Sequence, residues 1–265
     1  MSDWDAQKYH RLSAPQLAWG RRLAEKLAAR PGERLLDIGC GTGRLTDELA
    51  STVSDAQFVG VDVSHAMLVE AARANHGDRV AYVRGDALHL PFAAFCFDAV
   101  FSAATFHWVT DHEALFEQIH VVLKPGGRFV AQCGGGPNLQ RLLDRAHDMM
   151  DGEYAPFFQS WTDPWNFAGT TETRERLAAA GFTDIDVSLE PAPTTLADAR
   201  AFSDFIACVC VRHHIDRLPE EERPNFIRQL AEQAAHDNPP YTLDYWRLNL
   251  SGTKACRAEA RSGGG

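Results

Sequence analysis

Short apolar runs alternate with amphipathic segments along the first half of the chain. Five such runs occupy residues 35–38, 57–62, 80–83, 97–102 and 128–132. The segments between them carry apolar residues at three- and four-residue spacing, which is typical of helices that bury one face. Buried parallel strands form continuous apolar runs of this kind. The pattern therefore predicts an α/β fold with a doubly wound, mostly parallel sheet.

Two more strands are predicted in the second half of the chain, at residues 184–189 and 243–250, which brings the sheet to seven strands. About fifty residues of mainly helical spacing separate them, too many for a hairpin turn. The stretch before the sixth strand is rich in aromatic residues, namely Tyr154, Phe157, Phe158, Trp161, Trp165 and Phe167. We expect these segments to form a helical, aromatic-rich cap over the sheet.

The predicted organisation has four parts. Residues 1–30 form an N-terminal helical lid segment, and residues 31–136 form the α/β core. Residues 137–240 form a substrate-cap region that includes the sixth strand. Residues 241–265 contain the last strand and a disordered tail.

The turn after the first strand carries the most specific motif, Asp37-x-Gly39-x-Gly41-x-Gly43. Glycine permits the tight turn and lets a ligand lie against the main chain. A dinucleotide-binding fingerprint needs another glycine where Arg44 stands, and no phosphate-loop Gly-Lys-Ser/Thr follows. The motif resembles the first motif of the class I S-adenosylmethionine-dependent methyltransferases, and their Rossmann-like fold agrees with the predicted strands.

Acidic residues follow successive strands of the predicted sheet. Asp62 ends the second strand, where a carboxylate can accept hydrogen bonds from ribose hydroxyls. The resemblance implies that Asp86 accepts a hydrogen bond from the adenine amino group and that Met67 packs on the adenine face. It implies S-adenosyl-L-methionine as cofactor and S-adenosyl-L-homocysteine as product. The predicted cofactor-binding residues are Tyr9, Asp37, Gly39, Cys40, Gly41, Thr42, Gly43, Asp62, Val63, Met67, Asp86, Ala87 and Ser102.

The segment Thr105-Phe106-His107-Trp108-Val109 follows the fourth strand and resembles trans-aconitate and juvenile-hormone-acid methyltransferases, which esterify carboxylates. That resemblance implies His107, Trp108 and Gln16 as catalytic residues. The Trp108 indole can donate a hydrogen bond to a carboxylate. His107 is either a base for a phenol or alcohol, or a group that positions the substrate. In this family the segment holding Tyr9 and Gln16 closes over the cofactor.

The methyl acceptor is predicted only as a class. The first hypothesis is O-methylation of a small carboxylic acid, and Arg174, Arg212 and Arg247 are candidate partners for a second carboxylate. The alternative is O- or C-methylation of a phenolic, quinone or natural-product intermediate. A hypothesis of another class is a catalytically silent, cofactor-binding partner subunit.

Composition adds constraints on partners and location. A formal net charge of −10 argues against nucleic acid and anionic membranes as partners, and the aromatic-rich cap suggests a small-molecule substrate. Six scattered cysteines are typical of a reducing cytoplasm. The spacing Cys208-x-Cys210-x-x-His213-His214 matches no common zinc pattern, so we expect core packing there and no metal. The sequence leaves the oligomeric state open.

Overall fold

The computed structural model describes residues 14–74 and 77–256. Its strands are β1 (Arg34–Ile38), β2 (Gln57–Asp62), β3 (Val80–Arg84), β4 (Phe97–Ala103), β5 (Leu123–Gly134), β6 (Phe182–Pro191), β7 (Thr194–Thr195), β8 (Thr242–Leu243) and β9 (Trp246–Lys254). Its α-helices are α1 (Ala14–Leu27), α2 (Arg44–Thr52), α3 (His65–Ala74), α4 (His112–Val122), α5 (Gln140–Asp151), α6 (Thr170–Ala179), α7 (Ala199–Phe205), α8 (Arg212–Arg217) and α9 (Arg223–Ala234). Short 3-10 helices cover Phe106–Trp108 and Ala155–Phe157, and a π-helical segment covers Ile206–Cys210. Within these residues, no helix is long and apolar enough to cross a membrane.

Seven strands form one twisted sheet in the order β3-β2-β1-β4-β5-β9-β6. Neighbours from β3 to β5 run parallel, whereas β9 is antiparallel to both β5 and β6. The predicted doubly wound, seven-stranded, mostly parallel sheet is confirmed. The chain moves outward from β1 to β3 and then returns to β4 on the other side of β1. The carboxyl ends of β1 and β4 therefore flank a topological switch point, where open α/β sheets bind ligands.

Each central strand sends alternate side chains to opposite faces of the sheet. Leu35 and Phe58 pack on one face against residues of α1 and α2. Leu36 and Val59 pack on the other face against residues of α4 and α6. This covering of both faces explains why the central strands are nearly continuous apolar runs.

A third buried cluster lies in the cap, which comprises α5, α7, α8, α9 and the segments around them. Its large side chains include aromatic residues at less than 7% exposure: Tyr154, Phe158, Phe202, Phe205, Phe226 and Tyr245. Helix α1 reaches this cluster through Trp19, whose ring centroid lies 5.2 Å from that of Tyr245. The helical, aromatic-rich cap predicted from the sequence is therefore present.

The last strand differs from its predicted bounds of 243–250. Leu243 instead pairs with Thr194 in a separate two-stranded sheet, and β9 begins only at Trp246. Leu243 and Tyr245 are buried in the cap core. The apolar pattern is continuous through this region because two different cores bury its two halves.

Candidate active site

A cavity of about 480 Å³ opens at the carboxyl ends of β1, β2 and β4, between the sheet and the cap. Its core side is lined by seven predicted cofactor-binding residues: Gly39, Gly41, Asp62, Val63, Met67, Asp86 and Ala87. Its cap side includes Trp165, Phe167 and His213. Val63 is 65% exposed, so the cavity is open to solvent at the end formed by β2.

The glycine turn is held against both neighbouring strands. The Gly39 N–H donates to the carbonyl of Val61 at 2.7 Å. Gly39 has a φ of +73°, and a Cβ there would lie 2.1 Å from Oγ1 of Thr105. Only glycine fits this position, because both the backbone conformation and the approach of the loop after β4 exclude a side chain. The turn therefore presents bare main chain to the cavity.

Asp62 connects the loops that follow β1 and β2. Its Oδ2 accepts a hydrogen bond from the Gly41 N–H at 2.9 Å, and its Oδ1 accepts from the Ser64 N–H at 2.8 Å. A carboxylate has about four acceptor positions, so these contacts are compatible with further donation by two ribose hydroxyls. The bare turn and this oriented carboxylate fit an adenosine-containing cofactor.

Asp86 and Met67 lie at the same end of the cavity. Asp86 is exposed, and its Oδ1 accepts from the Leu88 N–H at 2.9 Å, which fixes the carboxylate. Met67 is 5% exposed in the first turn of α3, and its N–H donates to Oγ of Ser64 at 3.2 Å. An apolar side chain and a fixed acceptor thus line the same cavity, and their contacts with an adenine ring stay a prediction.

Five other predicted cofactor residues lie outside the cavity lining: Asp37, Cys40, Thr42, Gly43 and Ser102. The Thr46 hydroxyl donates to Oδ2 of Asp37 at 2.6 Å, which ties β1 to α2. Burial raises the pKa of Asp37 to about 7, the nearby charge of Asp62 adds to the rise, and the Thr46 hydrogen bond opposes it. The Ser102 hydroxyl donates to the carbonyl of Ile38 at 2.7 Å. These side chains hold the strand ends in place behind the turn.

His107 lines the cavity from the 3-10 turn after β4. The backbone N–H of Gly134 donates to its Nδ1 at 3.3 Å, so in the neutral ring the proton resides on Nε2. Burial lowers the pKa of His107 to about 3, with the positive charge of Arg247 acting in the same direction. Of the two roles predicted for His107, this arrangement suits a hydrogen-bond donor and not a general base.

Aromatic rings form the wall around His107. Its ring stacks on Phe167 at 5.7 Å and lies 5.0 Å from the ring of Trp108. Trp108 in turn lies 6.0 Å from Trp165 and 5.2 Å from His213. The six aromatic residues predicted for the cap fall into two groups. Trp165 and Phe167 line the cavity, whereas the other four pack in the cap core: Tyr154, Phe157, Phe158 and Trp161.

Of the three candidate arginines, Arg247 alone lines the cavity. It is 4% exposed, and its guanidinium carbon lies 4.2 Å above the ring of Trp19. Arg174 instead donates to backbone carbonyls of β6 and is exposed. Arg212 lies 3.7 Å from Asp216 within α8. Arg247, the second residue of β9, thus places a buried positive charge at the cap end of the cavity.

Two predicted residues belong to the N-terminal segment. Tyr9 lies outside the described residues. Gln16 lies in α1, one turn before Trp19, and its side chain is likewise outside the description.

Two further lining residues, Asn138 and Tyr245, are not among those singled out from the sequence. Asn138 is 3% exposed, and its amide oxygen accepts from the Trp246 N–H at 3.0 Å. The Tyr245 hydroxyl lies 3.3 Å from Sγ of Cys210, which also lines the cavity. Asn138 follows the end of β5, and Tyr245 precedes the start of β9. Because β5 and β9 are antiparallel neighbours in the sheet, these two positions lie at the same edge, and that was the available signal.

Comparison with known proteins supports an assignment of the class. Residues 36–131 match the sequence profile of a family described as a methyltransferase domain. The chain is 31% identical over 238 residues to the trans-aconitate 2-methyltransferase of Methylobacterium radiotolerans. This alignment covers 86% of this chain and 87% of that protein. It is 33% identical over 178 residues to the biotin biosynthesis bifunctional protein BioHC of Cellvibrio japonicus, which covers 66% of this chain but 33% of that protein.

The fold is also similar to that of phosphoethanolamine N-methyltransferase 2 of Haemonchus contortus, with a TM-score of 0.63 and 19% identity over 94% of this chain and 57% of that chain. The chain belongs to the class I S-adenosylmethionine-dependent methyltransferases. The predictions of a methyltransferase and of S-adenosylmethionine as its cofactor are confirmed. The roles assigned to individual residues stay predictions.

Proposed function

We propose that the protein methylates a carboxylate of a small acid that carries at least two carboxylate groups. The observation that carries this proposal is Arg247, a buried guanidinium at the cap end of an otherwise largely apolar and aromatic cavity. A guanidinium binds a carboxylate through two parallel hydrogen bonds, and the interaction is strong where water is excluded.

The carboxylate that Arg247 binds is not the one that is methylated. Pairing with a guanidinium withdraws charge from the oxygen and makes it a poorer nucleophile. A second carboxylate on the same molecule, held toward the core side of the cavity, is already ionised at pH 7 because its pKa is about 4. It needs no base, and bound S-adenosylmethionine supplies an electrophilic methyl group.

His107 and Trp108 act on the position of the acceptor. The Nε2–H of His107 offers a hydrogen bond to an acceptor oxygen, and the aromatic wall excludes water from the reacting groups. A phenol would require a base, and a His107 ring with a pKa of about 3 that already accepts from Gly134 is poorly suited to that task. The carboxylate hypothesis is therefore favoured over the phenolic alternative.

The relatives support the same class of acceptor. The matched protein of Methylobacterium radiotolerans is named for trans-aconitate, which carries three carboxylates, and the alignment with it extends through most of the cap. Because identity is 31%, we propose the polycarboxylate class and not that individual acid.

The experiment is a screen for S-adenosylhomocysteine release across mono-, di- and tricarboxylates, their methyl esters, phenols and quinols. We expect turnover of di- or tricarboxylates and not of phenols or quinols. In Arg247→Gln, kcat/KM for the best acid should fall at least about 30-fold, because a buried ionic contact is lost. The affinity for S-adenosylmethionine, measured by calorimetry, should be unchanged.

Arg174→Gln is the matched control, since Arg174 is an arginine outside the cavity whose loss should leave kcat/KM unchanged. Turnover of a phenol or quinol with none of any acid would overturn the proposal. So would an Arg247→Gln variant with unaltered kinetics toward the best acid.

A further inference from the structure

Three potential metal ligands from separate parts of the cap meet beside the aromatic wall. They are His147 in α5, Asp163 in the segment between the second 3-10 helix and α6, and His214 in α8. One nitrogen or oxygen atom from each lies within 4.8 Å of the other two. Nε2 of His147 and Oδ1 of Asp163 are only 3.2 Å apart.

His214 is the observation that points to a ligand. Its side chain is completely buried, and neither ring nitrogen has a hydrogen-bond partner among the residues that the structure describes. Its ring lies between aromatic neighbours, with centroids 4.9 Å from Trp161 and 5.5 Å from Trp165. A buried polar group without a partner is rare in native proteins and calls for an explanation, such as an ion.

We propose that His147, Asp163 and His214 bind a divalent first-row transition-metal ion, with Zn²⁺ as the natural probe. Two imidazoles and one carboxylate are a common ligand set for such ions. With metal–ligand bonds of about 2.0–2.1 Å, neighbouring ligands of a tetrahedral site lie about 3.3 Å apart. His147 and Asp163 are already at that separation. A ring nitrogen of His214 lies within 4.8 Å of both, so it must approach by no more than about 1.5 Å.

The surroundings suit an ion that enters from solvent. The side chains of His147 and Asp163 are 39% and 34% exposed, so an ion can reach them before the buried His214. The Trp161 indole N–H donates to Oδ1 of Asp163 at 2.8 Å, which is the kind of outer contact that orients a ligating carboxylate. Solvent can supply the fourth ligand.

Such an ion would act on the shape of the cavity and not on the reacting atoms. Pro164 and Trp165 follow Asp163 directly and line the cavity, and Leu143 lies one turn before His147 and also lines it. Joining α5, α8 and the segment around Asp163 would therefore fix one wall of the acceptor pocket. The proposed ligands lie far apart in the chain, and only His214 belongs to the Cys208-to-His214 segment, for which the sequence predicted core packing and no metal.

The test uses the full chain after treatment with a chelator. We expect calorimetry to show one saturable Zn²⁺ site per chain. At a free Zn²⁺ concentration a hundredfold above Kd, the midpoint of thermal unfolding should rise by roughly 5–10 °C. His147→Gln and Asp163→Asn should each weaken binding at least about tenfold and remove most of that rise.

His236→Gln is the matched control, because His236 is an exposed cap histidine outside the cluster. It should bind Zn²⁺ like the parent chain. The proposal is overturned if the parent chain shows no saturable site, or if His147→Gln and Asp163→Asn bind as tightly as the parent.

A second variant separates metal binding from packing. His214→Phe fills the same aromatic space and removes the two buried nitrogens, so the metal-free variant should be at least as stable as the parent. It should show no stabilisation by Zn²⁺. An undiminished rise in this variant would refute the ligand role of His214 without reference to methyl transfer.

Discussion

Nδ1 of His107 accepts a hydrogen bond from the backbone N–H of Gly134, with 3.3 Å between the two nitrogens. Gly134 ends β5, and His107 lies in the turn that follows the adjacent strand β4. Two neighbouring strand ends thereby fix both the orientation of the imidazole and its tautomer. The ring can donate from Nε2 but has no basic nitrogen to offer.

The first prediction concerns pH. Burial lowers the pKa of His107 to about 3, so the ring stays neutral as the pH falls through 6.5, the ordinary pKa of histidine. The enzyme should therefore not lose activity through protonation of His107 in that range. Between about pH 5 and pH 9, kcat/KM for the acceptor should show no limb that depends on His107. His107→Gln, which keeps a donor, should retain more activity than His107→Phe, which should lose about 10- to 100-fold.

Equal and complete loss in both variants would indicate a base. An acidic limb with an apparent pKa near 6.5 in the parent chain, absent in His107→Gln, would indicate the same. Rates from single-turnover experiments at several pH values decide between these outcomes.

The core side of the site could be predicted from the sequence because its signals are local. The turn from Gly39 to Gly43 and the carboxylates Asp62 and Asp86 each follow a strand within a few residues. In a parallel sheet such positions meet at one edge, whatever the details of packing. Seven of the predicted cofactor-binding residues accordingly line one cavity.

The cap side could not be predicted in the same way. Nothing local distinguishes Arg247 from Arg174 or Arg212, and the choice depends on β9 lying between β5 and β6. The direction of a side chain is equally undetermined by sequence. Ser102 sits at the predicted strand end, yet its hydroxyl is directed to the Ile38 carbonyl.

The second prediction concerns the glycine turn. Gly41 and Gly32 both have positive φ, at +54° and +78°, and a Cβ at either would meet no atom of residues 14–74 and 77–256 within 4 Å. Alanine at either position should therefore lower the free energy of unfolding by a similar amount, about 1–2 kcal/mol. Only Gly41→Ala should weaken S-adenosylmethionine binding in calorimetry, because Gly41 alone lines the cavity. Equal affinities for the two variants would contradict this.

The third prediction concerns Asp62. An amide in Asp62→Asn can accept from only one of the two backbone donors, Gly41 or Ser64, and its NH₂ group repels the other. We expect Kd for S-adenosylmethionine to rise at least about tenfold, because both the loop geometry and a charged acceptor are lost. Asp111→Asn is the matched control, since Asp111 also accepts from a backbone N–H but lies outside the cavity. A Kd unchanged in Asp62→Asn would count against the predicted ribose contact.

The fourth prediction concerns stability and Asp37. In the unfolded chain this carboxyl ionises near its ordinary pKa of about 4, whereas burial raises the pKa to about 7 in the folded protein. Folding therefore takes up a proton between these values, and stability falls as the pH rises through that window. Asp37→Asn can still accept from Thr46 but has no charge to bury. The free energy of unfolding, measured by urea denaturation without cofactor, should rise in the variant relative to the parent chain as the pH is raised. Between pH 4 and pH 8 this difference should grow by as much as about 4 kcal/mol.

Asp98→Asn tests whether that gain is specific to a carboxyl with a raised pKa. Burial at Asp98 is outweighed by the combined effect of hydrogen bonds from Lys124 and from the Arg34 N–H and of the nearby positive charges, so the pKa of Asp98 is lowered and it stays ionised throughout the window. The difference in unfolding free energy between Asp98→Asn and the parent should therefore be constant from about pH 4.5 upward. If the prediction holds, the difference in unfolding free energy between Asp37→Asn and the parent is not constant over this range. A constant difference would mean that Asp37 is already ionised in the folded protein at pH 5 and that its burial does not make stability depend on pH.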